Sequence, residues 1–106
     1  MIVRTWRGES TASQADHYIR HFKEKVLPEL KAIDGHRGAY VLQRAQEDRI
    51  EFLVMTLWDS MTAVQKFAGN NPVQAVVEPE ARAVLTDFDL TVKHYEVVVG
   101  SEIIDA

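Results

Sequence analysis

Residues 50–58 constrain the fold more than any other stretch of this chain. The run is too short for a globular helix, rich in residues that favour strands, and bounded by a charged turn and a helix-start signal. Side chains alternate between the two faces of a strand, so each face receives its own set. One set is Phe52, Val54, Thr56 and Trp58, and the other is Leu53, Met55 and Leu57. Both faces are apolar, and the strand therefore needs cover on each side.

The length of the chain fits one domain. The sequence has 106 residues, of which 46% are hydrophobic and 26% charged, and its formal net charge is −4. We predict a single domain over residues 1–106, with a core over about 2–99 and a short tail over 100–106. An acidic chain offers no basic surface, so we predict no nucleic-acid partner. No stretch approaches the roughly 18 apolar residues of a membrane helix, so we predict no membrane partner.

Cysteine is absent from the sequence. Its absence excludes disulfides, thiol catalysis, thiolate metal sites and iron–sulfur clusters. The first residues also carry charge where a signal peptide would be apolar. We therefore expect a cytoplasmic protein whose fold depends on packing alone.

The remaining periodicities predict the element order β α β β α β. An amphipathic helix of about five turns is expected over 14–33, with a kink at Pro28 and a glycine cap at Gly35. Asp59 or Ser60 is expected to cap the second helix. The other expected elements are strands over 2–8, 39–45 and 87–99, one or two helical turns over 73–77, and a short helix over 80–85.

This order predicts an α+β fold of the ferredoxin-like βαββαβ type, with both helices on one face of a four-stranded antiparallel sheet. The first and third strands are central in this topology, which suits the doubly apolar third strand. The second face remains uncovered and is larger than the apolar patch a monomer usually exposes. We therefore predict a homodimer in which two sheets pack face to face about a two-fold axis.

Five short segments, in their order and spacing, resemble the antibiotic biosynthesis monooxygenase (ABM) domain family. They are RTWRG at 4–8, GHRG at 35–38, LWDS at 57–60, FAG at 67–69 and HYEVV at 94–98. The resemblance covers about residues 2–99. It implies a dimeric α+β barrel with one small pocket per subunit between sheet and helices. It also implies one of several activities: cofactor-independent oxygenation of aromatic polyketides or quinols, oxidative haem breakdown, or isomerase-like chemistry.

The haem-degrading branch of the resembled family has a residue pattern that can be compared with this chain. That branch has an asparagine on the first strand, a tryptophan on the helix after the third strand, and a histidine that ligates iron. The corresponding positions here are Trp6, Phe67 and Val77. Valine cannot coordinate iron, so we regard haem degradation as the weaker alternative.

Cofactor-free oxygenation requires few catalytic groups from the protein, because a deprotonated phenol or quinol can react with oxygen itself. The protein must bind the substrate in a dry pocket, remove a proton and stabilise the anion. We predict His94 as the proton acceptor, with no metal and no cofactor. The predicted substrate-binding residues are Trp6, Tyr18, Arg37, Trp58 and Phe67.

Each of these residues also has a structural alternative. Either tryptophan could be core packing, His94 could be a hydrogen-bonded histidine at the dimer seam, and Arg37 could be exposed or form an ion pair across the dimer. His17 and His21 lie one helical turn apart but off the apolar stripe, without an obvious third ligand, so we expect a solvated face there. The alternative function is a small-ligand-binding or stress-responsive dimer without catalysis.

Overall fold

A computed structural model of the chain describes residues 1–101, so the end of the predicted tail, 102–106, lies outside the described residues. The strands are β1 (Ile2–Thr11), β2 (His36–Gln46), β3 (Arg49–Trp58), β4 (Asp87–Phe88) and β5 (Lys93–Glu96). The α-helices are α1 (Ala15–His21), α2 (Leu27–Lys31), α3 (Met61–Ala68) and α4 (Pro79–Val84). Between residues 1 and 101, no helix has the length and apolar character to cross a membrane.

The strands form one antiparallel sheet in the order β2-β3-β1-β4, and β5 also pairs with β1. The central positions of β1 and β3 confirm the sequence prediction, as does the ferredoxin-like class with helices on one face. Ten consecutive pairs join β1 to β3, from Ile2↔Trp58 to Thr11↔Arg49. This long central pair is the platform on which the helices pack.

The core lies between the helices and one face of this sheet. Trp58 and Phe52 from β3, Leu30 from α2 and Val64 from α3 are all fully buried. The opposite face of the same strands carries Leu42 and Leu53, which are 46% and 39% exposed. The helices therefore cover the first apolar set of β3 and leave the second set open.

The predicted five-turn helix is built from several helical types. A 3₁₀ turn at Ala12–Gln14 precedes α1, and a π-helical turn at Phe22–Val26 separates α1 from α2. The Leu27 N–H donates to the Phe22 carbonyl, five residues back, and Pro28 follows directly. Pro28 has no N–H, and its ring would crowd the carbonyl four residues earlier in a regular α-helix. The wider π turn shifts these partners by one residue, and the helical path continues to Lys31.

The predicted helical turns over 73–77 are wrong. This segment is irregular and runs beside the end of the chain, where the Val92 N–H donates to Val73 O at 2.8 Å and the Ala75 N–H donates to Leu90 O at 2.9 Å. These hydrogen bonds between two segments of the chain pair backbone N–H and C=O groups that a helix would have paired internally.

The predicted single strand over 87–99 is also wrong, because it is divided into β4 and β5. Gly8 pairs with Phe88 and Thr5 pairs with Lys93, so the last segment has two more residues than β1 between these pairs. An insertion of two residues keeps the alternation of faces in phase, which is why the sequence pattern looked continuous.

The helix cap predicted at Gly35 is wrong, because α2 ends at Lys31 with Ala32 as its C-cap and Gly35 lies in the turn before β2. Gly35 has φ +94°, the left-handed conformation that glycine adopts without strain. The cap predicted at Ser60 is confirmed. The Ser60 hydroxyl accepts a hydrogen bond from the Ala63 N–H at 3.2 Å and begins α3.

Candidate functional site

A cavity of about 70 Å³ lies between the sheet and the helices. Three of the predicted binding residues, Trp6, Tyr18 and Phe67, line it. The wall is mostly apolar and, besides the aromatic residues, contains four side chains with polar or charged groups. These four are Arg4, His21, Thr56 and Glu78. A mainly apolar cavity with a few converging polar groups is the usual form of a small-ligand site.

The aromatic wall is held in place by ring contacts and one hydrogen bond. The Tyr18 ring lies 4.7 Å from Phe52 and 6.2 Å from Trp6, between ring centroids. The Trp6 indole N–H donates to Asp89 O at 2.8 Å, in the segment that separates β4 from β5. The interruption of the last strand therefore provides the partner that fixes Trp6 against the cavity.

Trp58 lies behind the cavity wall and is fully buried. Its indole N–H donates to Thr56 Oγ1 at 2.8 Å, and Thr56 itself faces the cavity. Trp58 also stacks edge-on against His36, at 5.1 Å between ring centroids. This arrangement agrees with the core-packing alternative, in which Trp58 supports the wall without forming it.

Arg4 is the residue that the sequence reasoning missed. It is only 5% exposed, lines the cavity, and has no carboxylate within ion-pair distance among the described residues. Its guanidinium donates instead to the carbonyls of Pro72 and Gln74. Burial lowers the pKa of Arg4 to about 10, which still leaves it positively charged at neutral pH. The alternation of Ile2, Arg4 and Trp6 on one face was the available signal.

His94 lies beside Arg4 but is not among the described residues that line the cavity. The Arg4 guanidinium donates to His94 Nε2 at 3.1 Å, because arginine has no acceptor. Burial, with a smaller contribution from the Arg4 charge, lowers the pKa of His94. His94 is therefore neutral, with its proton on Nδ1.

Tyr18 lines the cavity and is 4% exposed. Burial raises the pKa of Tyr18. The phenol is therefore protonated at neutral pH and can act as a hydrogen-bond donor to a ligand, while phenolate chemistry is disfavoured.

Arg37 lies away from the cavity. It is exposed and forms a two-pronged ion pair with Asp59, with distances of 2.6 and 2.7 Å. This matches the exposed alternative, whereas the expected ion pair across the dimer is replaced by one within the chain.

His21 and Glu78 meet at one side of the cavity, and Glu80 lies next to them. One ligand atom from each of the three residues falls within 4.8 Å of the others, an arrangement that could hold a metal ion. The sequence offered no third ligand for His21, because α1 and α4 meet only in the fold. His17 is not in this group, and its Nδ1 lies 2.6 Å from Gln14 Oε1.

The three positions compared with the haem-degrading branch also converge in the structure. Trp6, Phe67 and Val77 all line the cavity. The residues that distinguish this chain from that branch therefore face the space where a ligand would bind.

A sequence profile of the family described as "Antibiotic biosynthesis monooxygenase" matches residues 1–79. A comparison with curated protein sequences finds no significant match. Among solved structures, an antibiotic biosynthesis monooxygenase-type protein from Deinococcus radiodurans has 18% identity and a TM-score of 0.64, covering 99% of this chain and 100% of that one. A similar protein from Bacillus cereus has 16% identity and a TM-score of 0.66, covering 96% and 97%.

The haem degrader MhuD from Mycobacterium tuberculosis, with two haems bound in its active site, is another structural neighbour. It has 20% identity and a TM-score of 0.61, and the match covers 96% of this chain and 100% of MhuD. At these identities, all three structures support the fold alone.

Proposed function

This chain belongs to the antibiotic biosynthesis monooxygenase family, and from that premise we propose that it binds a small aromatic molecule in the cavity and oxygenates it without a cofactor. The observation that carries the proposal is Arg4, a buried cation with no acidic partner among residues 1–101, in a wall of aromatic and aliphatic side chains. Such a wall favours a flat apolar ligand that becomes an anion.

Arg4 is suited to stabilise that anion. A guanidinium has five N–H donors, and the described contacts of Arg4 are those to Pro72, Gln74 and His94. Donor capacity therefore remains for a phenolate or enolate oxygen. A charge interaction is stronger in a water-poor cavity than in solvent, and a fixed cation needs no reorganisation when the anion forms.

The proposed reaction needs no external reductant. A ring CH₂ group loses a proton, and the resulting carbanion gives electrons to O₂ and forms a C–O bond. The O–O bond then breaks, so that the carbon becomes a carbonyl and the second oxygen atom leaves as water. Oxidation of the CH₂ group to the carbonyl and reduction of O₂ each involve four electrons, and the equation balances.

His94 stays our proposed proton acceptor. Its lowered pKa keeps the imidazole neutral, which is the state that a base requires. Because Nε2 accepts from Arg4, the substrate oxygen or carbon must approach Arg4 from the side of His94 and take over that contact. The ligand contacts predicted for Trp58 and Arg37 are not part of this proposal, because neither residue lines the cavity.

The cavity must widen to admit an aromatic ring. Its volume is about 70 Å³, whereas an engineered cavity that binds benzene measures about 150 Å³. Val76, Val77 and Glu78 belong to the wall and to the irregular segment before α4. Among the described residues, Val76 and Val77 make no strand or helix hydrogen bond, whereas the Glu78 carbonyl accepts from the Ala81 and Arg82 N–H groups at 3.0 Å and begins α4. We therefore propose that the ligand enters by displacing Val76 and Val77.

We also propose that the protein is a homodimer. The open face of the sheet carries Leu42, Leu53 and Tyr95, which are 46%, 39% and 53% exposed. The strand pairing places Leu42 directly beside Leu53, and these two leucines form an apolar patch whose neighbour on β1 is Arg7, itself paired with Glu51. A second copy of the same face is its simplest cover. A cytoplasmic location stays a prediction from the composition.

Oxygen uptake tests the proposed reaction. Wild-type protein would be assayed with a panel of hydroquinones and anthrones, beside His94→Ala, Arg4→Met and the exposed control Arg37→Gln. We expect uptake by wild type and Arg37→Gln and a loss of at least about tenfold in the other two variants. Ligand binding without oxygen uptake would instead support the non-catalytic alternative.

Haem is the ligand of one structural neighbour and is tested separately. The valine at position 77 cannot ligate iron, so the chain lacks the histidine that the resembled haem-degrading branch uses as its iron ligand. We therefore expect no shift of the Soret band when haem is titrated into the protein. A saturable shift would replace the oxygenation proposal with haem binding.

A further inference from the structure

His21, Glu78 and Glu80 bring one nitrogen and two carboxylate ligands to a single point. His21 is the last residue of α1, Glu78 precedes α4, and Glu80 lies in its first turn. One ligand atom from each lies within 4.8 Å of the other two. Ligands about 2.1 Å from a tetrahedral ion lie roughly 3.4 Å apart, so small rotations of the glutamate side chains would complete the set.

The imidazole of His21 has an unexplained nitrogen. Its Nε2 atom is buried and has no hydrogen-bond partner among the described residues. A buried polar atom without a partner is costly and calls for a missing water or ion. His21 also makes no ion pair with either glutamate within the described chain, although one ligand atom of each lies within 4.8 Å of the others.

The two glutamates lack a cation from the protein itself. In residues 1–101, neither Glu78 nor Glu80 forms an ion pair with lysine or arginine. The nearby Arg82 is otherwise engaged, because its Nε donates to Val77 O and its guanidinium lies over the Phe88 ring. Two adjacent carboxylates without a cationic side chain leave negative charge at this point, which a divalent cation would balance.

We propose that His21, Glu78 and Glu80 form a binding site for a borderline divalent metal ion, of which Zn²⁺ is the best representative. Mixed imidazole and carboxylate ligands favour this class over Mg²⁺ and Ca²⁺, which prefer oxygen ligands alone. Three protein ligands leave one tetrahedral position open. His21 and Glu78 both line the cavity, so the open position faces the ligand space.

The bound ion would have two consequences. It would join α1 to the start of α4 across one side of the cavity, and it would offer a Lewis acid to an oxygen atom of a bound molecule. Zn²⁺ exchanges no electrons, so the site does not supply the oxidant or reductant of an oxygenation. The proposal is independent of the proposed oxygenation, and metal binding can be measured without turnover.

The test uses untagged full-length protein, freed of metal with a chelator and titrated with Zn²⁺ by calorimetry, with Mg²⁺ titrated in parallel. The variants are His21→Gln, Glu78→Gln and Glu80→Gln, and His17→Gln is the matched control on the same helix.

Co²⁺ would be added in a second experiment, because its visible d–d absorption reports four-coordinate binding. Circular dichroism melting would check that each variant is folded. Glu80 is exposed, so its substitution is the variant least able to disturb the fold.

We expect one Zn²⁺ per chain and much weaker binding of Mg²⁺. Each of the three ligand substitutions should weaken Zn²⁺ binding by more than the roughly 10- to 100-fold typical of losing an outer-shell partner. His17→Gln should bind as wild type does. The proposal is overturned if wild type binds no stoichiometric Zn²⁺, if folded Glu80→Gln binds as tightly as wild type, or if His17→Gln loses the ion. It is also overturned if water alone fills the site in a crystal grown with excess Zn²⁺.

Discussion

The Arg4 guanidinium donates a hydrogen bond to His94 Nε2 at 3.1 Å, and the two residues are direct partners across β1 and β5. This contact joins the charged group of the cavity wall to the last strand of the sheet. It requires the lone pair of Nε2, so protonation of His94 would place two cations in contact. The Arg4–His94 pair therefore makes the fold sensitive to acid.

We predict that the free energy of unfolding falls between about pH 7 and about pH 5. The pKa of His94 is lowered by burial and by Arg4, and that of His36 is lowered mainly by burial. Above the ordinary histidine pKa of about 6.5, these two histidines are mostly neutral in both the folded and the unfolded chain. As the pH falls through that value, the unfolded chain binds protons first, so stability is lost until the lower folded-state pKa is reached.

Urea unfolding at several pH values would measure this slope. His94→Gln should make it shallower, whereas His17→Gln, on an exposed helix face, should leave it unchanged. An equal slope in His94→Gln and wild type would contradict a role for the Arg4 contact. Below about pH 4.5 a second loss should follow, because hydrogen bonds from Arg44 and Arg7 lower the pKa of Glu51 to about 2.

Gly8→Ala should destabilise the protein by about 1–3 kcal/mol, the range for overpacking. The Trp6 ring lies over Gly8, and an added Cβ would fall 2.7 Å from Trp6 Cη2. The substitution must therefore push Trp6 into the cavity. Thermal melting would measure the loss, with Gly38→Ala as the control, since nothing lies within 4 Å of a Cβ built at Gly38. Equal stability of Gly8→Ala and wild type would exclude this packing of Trp6.

Thr56→Val should cost about 1–3 kcal/mol, although it conserves shape. It removes the oxygen that accepts from the Trp58 indole at 2.8 Å and leaves a fully buried N–H without a partner. Thr5→Val is the control, because its hydroxyl makes only a long, exposed contact of 3.5 Å with Lys93 O. Chemical denaturation would compare the two. If both substitutions had the same small effect, the indole bond would not contribute to stability.

Leu53→Lys should convert the proposed homodimer into monomers. It places a charge in the middle of the open sheet face, directly beside Leu42. Leu90→Lys changes an even more exposed leucine, at 71%, that lies outside the strands and should leave the assembly intact. Sedimentation at micromolar concentration would separate these outcomes. A wild-type monomer under these conditions would exclude the dimer.

The sheet and its central strands were predictable because alternation along β1 and β3 is a local property of the chain. The same pattern placed Arg4 on the buried side of β1, between Ile2 and Trp6. Its importance was missed because the carbonyls of Pro72 and Gln74 come from a segment without periodicity. The residues around Arg4 in the sequence give no indication of a hydrogen-bond partner about 70 positions away.

The meeting of His21 with Glu78 was equally hidden. Each lies on its own helix or helix start, and only the packing of α1 against α4 brings them together. The division of the last strand escaped notice for a different reason. An insertion of two residues preserves alternation, so the sequence pattern carries no mark of it.

The π turn at Phe22–Val26 stores one more residue per turn than the helices on either side. One residue corresponds to about 100° of rotation around a helix axis. A regular α-helix through the same residues would therefore turn α2 by about that angle relative to α1, whereas the π turn absorbs the extra residue and leaves Tyr18 and Leu30 both facing the core. Loss of this one residue would return the segment to a regular helix, in which Pro28 would crowd the carbonyl four positions before it.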